Sequence, residues 1–385
     1  MQPSTPTPSV NHWVLAFILP NLGINSEHSY FQQISPALSL GLEGIAIVPF
    51  GDSRFEAIRR ESGSARVLAG GFKDENSESV EPSALLIRED YAAAIGRDVA
   101  PVVAFRNAVA LTFILPARAR LAAQVGSSSV SWADFFDFHP TVVGIDNKLH
   151  THTPAVTSMW VRENKFLAMP DPSIAYGTEL GLPDPFLSSS LGKLWWKRFI
   201  RPKKDDVFSR LVFRSLELAY HACSLTNKNQ ASLNDYGLQV ALWVTALEVL
   251  ARPTRGDVNQ SEVLRLIKSY PWENWLLSRN RFTLRFRSRS GGWNYSRGNA
   301  VQKACNALYH ARHRFIHGDK VDVDLMIPQI GSARPALPRL AATVYRAALG
   351  AFLERRYQRS RSWDMLEYLT FDRYEKALAN LVGQT

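Results

Sequence analysis

From Asp205 to Leu381, apolar residues recur at three- and four-residue steps in one segment after another. That period lines one face of a helix and obliges the face to bury itself against another element. Asp205 and Asp206 open a helix that runs to about Leu225. Asn234 or Asp235 caps the next, which reaches about Leu250 before Pro253, and Ser261 to Ser269 makes a shorter third. Asn299 to His317, Pro335 to Arg361 and Ser362 to Leu381 complete the set, with no Val- or Ile-rich alternating strand between them. Helices of this kind pack as an antiparallel bundle of four or more members.

The first half reads differently. His12 to Leu19, Gly44 to Phe50, Arg66 to Ala69, Ala84 to Ile87, Thr141 to Ile145 and Ala155 to Val161 are short apolar runs with strand character, and Phe55 to Arg60 is a short helix. Phe105 to Gln124 has helical composition, but Pro116 breaks or kinks it. A connector from Leu167 to Ser190 carries Pro170, Pro172, Pro183 and Pro185 and marks a boundary. The expected fold class is α+β, a small mixed α/β domain over residues 1–190 followed by an all-α helical bundle over 193–385. Lys193 to Lys204, with adjacent Trp195 and Trp196, reads as a staple that fastens the linker to the bundle rather than as an RNA contact.

The charge is divided between these halves. Residues 1–192 hold 13 Lys and Arg against 19 Asp and Glu, a net −6, and residues 193–385 hold 32 against 16, a net +16. The basic half therefore attracts polyanions. Cys223 and Cys305 sit in apolar helical patterns as buried thiols of a reducing cytosol. Met1 to Val10 has neither a basic start nor an apolar core, so a cytoplasmic protein is expected. No membrane partner is expected either, because runs such as Val99 to Leu115 are too short to span and contain Arg106.

The helix from Asn299 ends in a dense group of titratable side chains: His310, Arg312, His313, Arg314 and His317, closed by Gly318. Arg312 and His317 have the spacing Arg-x4-His, followed by the ending Ile-His-Gly-Asp. About sixty residues earlier stands Ala246-Leu247-Glu248-Val249-Leu250. In these residues the chain resembles the HEPN superfamily, and more closely its Apea-like branch, from about Asp205 to about Tyr368. The resemblance implies a helical bundle that pairs as a two-fold homodimer, with the motifs of both copies lining one cleft. It implies a metal-independent endoribonuclease, without cofactor, of the kind found among toxins of abortive phage defence. In that setting the N-terminal domain is a sensor for a protein or phage-derived ligand. Many HEPN domains have lost catalysis, so an inactive RNA- or nucleotide-binding dimer is the alternative. The resemblance places Glu248 beside Arg312, to orient it; a buried ion pair of the bundle explains Glu248 equally well.

The chemistry follows from the residue types. RNA supplies its own nucleophile, the 2′-OH beside the scissile phosphate. An imidazole titrating near neutrality carries the proton, and a permanently charged guanidinium stabilises the crowded phosphorane. His317 and Arg312 fit those roles, and the products are a 2′,3′-cyclic phosphate and a 5′-hydroxyl. His313 binds phosphate or positions His317 one turn later. Five residues at 100° each place Arg312 and His317 about 140° apart on the helix, so one helix alone does not align them. Two plainer readings compete: cations cap a helix C-terminus on dipole grounds alone, and His310, His313 and His317 share a face that could offer imidazoles to zinc.

Between the third and the central helix, Ser278 to Arg297 gathers Arg279, Arg281, Arg285, Arg287, Arg289 and Arg297 around Phe282, Phe286, Trp293 and Tyr295. Guanidinium planes and aromatic faces together suit single-stranded RNA, where bases can stack and phosphates can pair, and Arg279, Arg281, Arg285, Arg287, Arg289, Arg297, Trp293 and Tyr295 are the candidate contacts. A solvated basic loop, or a helix presenting Arg281, Arg285 and Arg289 on one face, accounts for the same residues.

Overall fold

The computed structural model describes residues 12–24, 31–74, 76–96, 98–122, 132–144, 146–151, 159–160, 166–167, 181–204, 206–225, 232–252, 258–287, 292–357 and 365–383. Helix outweighs strand, about 59% to 13%, and the sheets are small and mostly antiparallel, so the class is α+β. The chain divides into two units. The first comprises residues 1–109, 133–181 and 191–204, and the second 110–132, 182–190 and 205–385. A single cut near residue 190 is therefore not the division: 110–132 and 182–190 belong with the helical unit and 191–204 with the first.

In the first unit, β1 (Trp13–Leu19) and β2 (Ile45–Val48) flank a central antiparallel strand, β4 (Ser83–Arg88). The helices α1 (Phe31–Leu38), α2 (Ser53–Glu61), α3 (Gly63–Gly70) and α4 (Glu89–Ile95) lie among these strands in the chain. Ile18, Ala46, Val48, Ala84 and Leu86 of the sheet pack with Phe55 of α2 and with Leu68 and Ala69 of α3. Residues 66–69 are thus helical, not a strand. Ser62 accepts a hydrogen bond from Ala65 N at 3.0 Å, which caps α3, and Ser-Ala-Arg-Val-Leu-Ala carries the helix on. A parallel pair joins β3 (Phe72–Lys73) to β8 (Phe166–Leu167), and β5 (Thr141–Val143), β6 (Leu149–Thr151) and β7 (Met159–Trp160) form a small meander. Residues 152–158, which hold most of the strand expected at 155–161, lie outside the described residues. Trp195 is fully buried, its Nε1 donating to Pro101 O at 2.8 Å and its ring against Tyr91 and Phe105, all residues of the first unit, so the segment packs there and not on the bundle as expected.

Helix α5 (Ala100–Ala122) runs unbroken through Pro116. Proline has no N–H to donate to the carbonyl four residues back, Thr112 O. That carbonyl instead accepts from Asp184 N at 2.9 Å, and of the break or kink expected at Pro116 the break does not occur. At 23 residues α5 is long and apolar enough to cross a membrane, which corrects the expectation that the run is too short, but its apolar window is 83% buried within the protein. The connector holds α6 (Pro185–Trp195).

The second unit is built on α7 (Val207–Ser224), α8 (Leu233–Ala251) and α9 (Gln260–Lys268), a short α10 (Trp275–Ser278), α11 (Ala300–Ile316), a short α12 (Val323–Met326), α13 (Leu337–Glu354) and α14 (Met365–Leu381). Ser232, not Asn234 or Asp235, caps α8, with Asp235 at the third position closing a capping box. Helix α13 is the core member, buried from Leu340 to Leu353. Ser215 Oγ links α7 to α8 through Ala246 O and to α13 through the Tyr345 hydroxyl, at 2.8 Å each. Arg346 and Asp184, each 2% exposed, form an ion pair at 2.5 Å, and Arg346 also contacts the Tyr270 hydroxyl and the Tyr374 ring. Cys223 and Cys305 are free and buried, and burial raises both thiol pKa values, that of Cys223 to about 11.

The bundle is not all helix. Residues 282–298 form an antiparallel hairpin of β9 (Phe282–Arg287) and β10 (Trp293–Gly298). This corrects both the expectation of no strands after residue 193 and the alternative of a helix through Arg281, Arg285 and Arg289. Phe282, Leu284 and Phe286 alternate with Thr283, Arg285 and Arg287, and a period of two suits a strand with one covered face. Leu284 is the covered member, 1% exposed and tight against Gly298.

Candidate functional site

Helix α11 starts and stops on local signals. Asn299 and Gln302 close a capping box, and Gln302 Nε2 donates to Leu264 O at 2.8 Å, which fixes the start to α9. At the other end His317 N donates to His313 O, and Gly318 turns the chain at φ +73°. The end is held to α8 by a close approach: a Cβ on Gly237 would stand 2.2 Å from the Phe315 ring. Only a glycine allows α8 and α11 to meet there.

That approach brings Glu248 and Arg312 together. Arg312 Nη2 lies 3.8 Å from Glu248 Oε2, an ion pair longer than a hydrogen bond, with the side chains 33% and 22% exposed. Arg312 Nε is buried without a hydrogen-bond partner among the described residues. Burial raises the pKa of Glu248, while Arg312 and the Tyr309 hydroxyl pull it down. Among the described residues the Tyr309 hydroxyl completes no hydrogen bond of ordinary geometry, and burial, then the Glu248 charge, holds its own pKa well above the phenol value. This hydroxyl lies beside Glu248, and the sequence reading left Tyr309 out. Its place three residues before Arg312, one turn back, was the available signal.

His313 and His317 lie on the exposed side of α11, their ring centroids 4.3 Å apart and the planes tilted by 55°. His310, also exposed, has its pKa lowered by partial burial and by Arg314 and Arg285, against a smaller opposing effect of Asp319. Arg312 points to α8 and the imidazoles to solvent, as the 140° separation requires. Among the described residues no group of three or more His, Cys, Asp and Glu is placed to hold a metal ion.

The arginine-rich segment is pinned to the same helix. Asn306 Nδ2 donates to Arg285 O at 2.7 Å, and Lys303 Nζ reaches Thr283 O at 3.5 Å. Arg285 lies 3.8 Å from the Trp293 ring centroid, and Arg279 lies 4.0 Å from that of Trp275, a ring the sequence reading left out. Arg297 donates to Arg281 O at 3.0 Å. In the ladder Arg285 pairs with Tyr295 and Arg287 with Trp293, which places these positions on one face. The Arg287 side chain and the whole of Arg289 lie outside the described residues. Between Glu273 and Asp319 the chain has nine Lys and Arg and no carboxylate.

Comparison of the chain with protein-family models, with curated proteins and with solved structures returned no match.

Proposed function

We propose that the second unit is a metal-independent endoribonuclease of the HEPN type. The observation that carries this reading is the joint placement, on α8 and the end of α11, of the Glu248–Arg312 pair and the adjacent rings of His313 and His317. The one-third exposed Arg312 guanidinium, 3.8 Å from Glu248 and so not locked into a hydrogen bond with it, supplies a fixed charge for a phosphate, and two neighbouring imidazoles supply proton carriers. His317 takes the proton of the 2′-OH as its oxygen attacks phosphorus. Arg312 stabilises the phosphorane, and a second imidazole protonates the departing 5′-oxygen. The products are a 2′,3′-cyclic phosphate and a 5′-hydroxyl. The divergence of Arg312 from His317 is met by a two-fold dimer, in which Arg312 of one copy faces His317 of the other. Leu233, Leu238 and Ile316, exposed on either side of the Gly237–Phe315 contact in sequence, suit such pairing.

The test is cleavage of single-stranded RNA in EDTA by wild type, Arg312→Ala and His317→Ala. Each variant alone is expected to be inactive, and mixing the two is expected to restore part of the activity, since one composite site per mixed dimer keeps both groups. Cleavage that needs a divalent metal, or that survives both substitutions, sinks the proposal. A second reading, an RNA-binding dimer without catalysis, is favoured by the way Arg312 turns to Glu248 rather than to the histidines. Tight, salt-dependent binding with no cleavage product would decide for it. The role of a defence toxin, triggered by a protein or phage-derived ligand at the first unit, rests on the HEPN resemblance. It predicts growth arrest on expression that Arg312→Ala abolishes.

A further inference from the structure

Trp293 and Tyr295 are exposed, by 49% and 64%, on one strand and two residues apart. Residues at i and i+2 share a face of the strand and stand about 6.8 Å apart. Successive bases in a duplex strand are about 3.4 Å apart, so this step is twice a stacking distance. A base that has left its stack can lie against either ring, or between the two. A base within a duplex is covered on both sides by its neighbours and can do neither. The Arg285 guanidinium, 3.8 Å from the Trp293 centroid, backs that ring and extends the stack. Arg297 stands two residues after Tyr295, and the register opposes it to Thr283 on the same face.

From these observations we infer that the outward face of the β9–β10 hairpin is a stacking platform for the splayed bases of an unpaired RNA strand. The occupant follows from charge as well as shape. The segment from Asn274 to Gly318, which holds both hairpin and histidines, has no carboxylate to repel a phosphate backbone. The platform is also continuous with the histidine side of α11. Asn306 and Lys303 tie the hairpin to that helix, and Arg285 acts electrostatically on His310. A strand lying on Trp293 and Tyr295 is thereby led along α11 toward His313 and His317. The platform rests on the proposal that the second unit acts on RNA, and it adds selection for single strands.

The experiment uses the full chain carrying His317→Ala, in EDTA, with fluorescence anisotropy of a labelled oligouridylate and of an RNA duplex of the same length. The single strand is expected to bind at least tenfold more tightly than the duplex. Trp293→Ala with Tyr295→Ala is expected to lose roughly tenfold or more per ring, with the salt dependence unchanged. Trp293→Phe with Tyr295→Phe keeps the stacking faces and is expected to retain most of the affinity. Arg285→Gln with Arg297→Gln is expected to flatten the salt dependence. Equal affinity for duplex and single strand overturns the platform. So does an alanine pair that binds as before, or a phenylalanine pair that falls as far as the alanine pair. Absence of any RNA binding removes the platform together with the RNA reading. Loss of cleavage in the wild type with selective single-strand binding intact removes only the nuclease.

Discussion

Glu248 sits where burial works against its charge. Its pKa is raised from the ordinary 4.5, chiefly by burial, with Arg312 only partly offsetting the cost. The native state therefore holds its proton more tightly than the unfolded chain does, and stability falls as pH rises past about 4.5. Glu248→Gln removes that penalty. The variant is expected to match wild type near pH 4 and to gain on it toward about pH 7, measured as urea midpoints. If the second unit is the nuclease proposed above, cleavage is expected to move the other way, because Arg312 would lose its orienting charge, with a fall of up to about 10²-fold in kcat and little change in KM. A glutamine variant that loses stability as pH rises contradicts this account. Tyr309→Phe separates hydroxyl from ring. Among the described residues the hydroxyl completes no hydrogen bond of ordinary geometry, so its removal is expected to be neutral or stabilising. It should also raise the Glu248 titration further, since that hydroxyl pulls it down. An NMR titration of the carboxyl carbon reads this directly, and an unchanged midpoint would place Tyr309 outside the site.

At the scale of elements, α8 and α11 meet because Gly237 leaves room for Phe315. Gly237→Ala puts a methyl group into that ring and is expected to cost about 1–3 kcal/mol. The cost should shrink when Phe315→Leu is added, a coupling that a double-mutant cycle in urea measures. Purely additive effects would show that the two residues do not meet. Helix α11 was legible in the sequence almost to the residue, since its cap, stripe and terminal glycine are local signals. The hairpin was not. Its alternation of Phe282, Leu284 and Phe286 was present, but the arginines between them drew attention to charge instead of period. Residues 66–69 misled in the opposite sense: Val67 and Leu68 resemble a strand until Ser62 is recognised as the cap of a helix. Pro116 misled because its consequence is settled at a distance, by the Asp184 N–H that takes the orphaned carbonyl.

For the whole molecule, the division into units depends on contacts that composition hides. Residues 182–190 are rich in Pro and Ser, as a linker would be, yet Asp184 is fixed to Arg346 in the interior of the helical unit. Asp184→Ala leaves that guanidinium buried without its carboxylate and is expected to cost about 3–5 kcal/mol. Calorimetry or urea unfolding of the full chain would register it as a loss in the transition of the helical unit. A loss below about 0.5 kcal/mol, the range of a surface change, would return the segment to the status of a linker.

By itself the sequence determined the α+β class, most of the long helices, the Asp206 and Asn299 caps, the charge difference between the halves and the Arg312–His317 spacing. These depend on neighbours within a few residues, where period, capping and propensity act. Tertiary structure alone decided that Asp184 reaches Arg346 across 162 residues, and it gave the 3.8 Å distance of the Glu248–Arg312 pair, 64 residues apart, that the resemblance implies. It also decided that the arginine-rich segment is a hairpin clipped to α11. Such pairings follow from which faces can be buried together, and no local period encodes that choice.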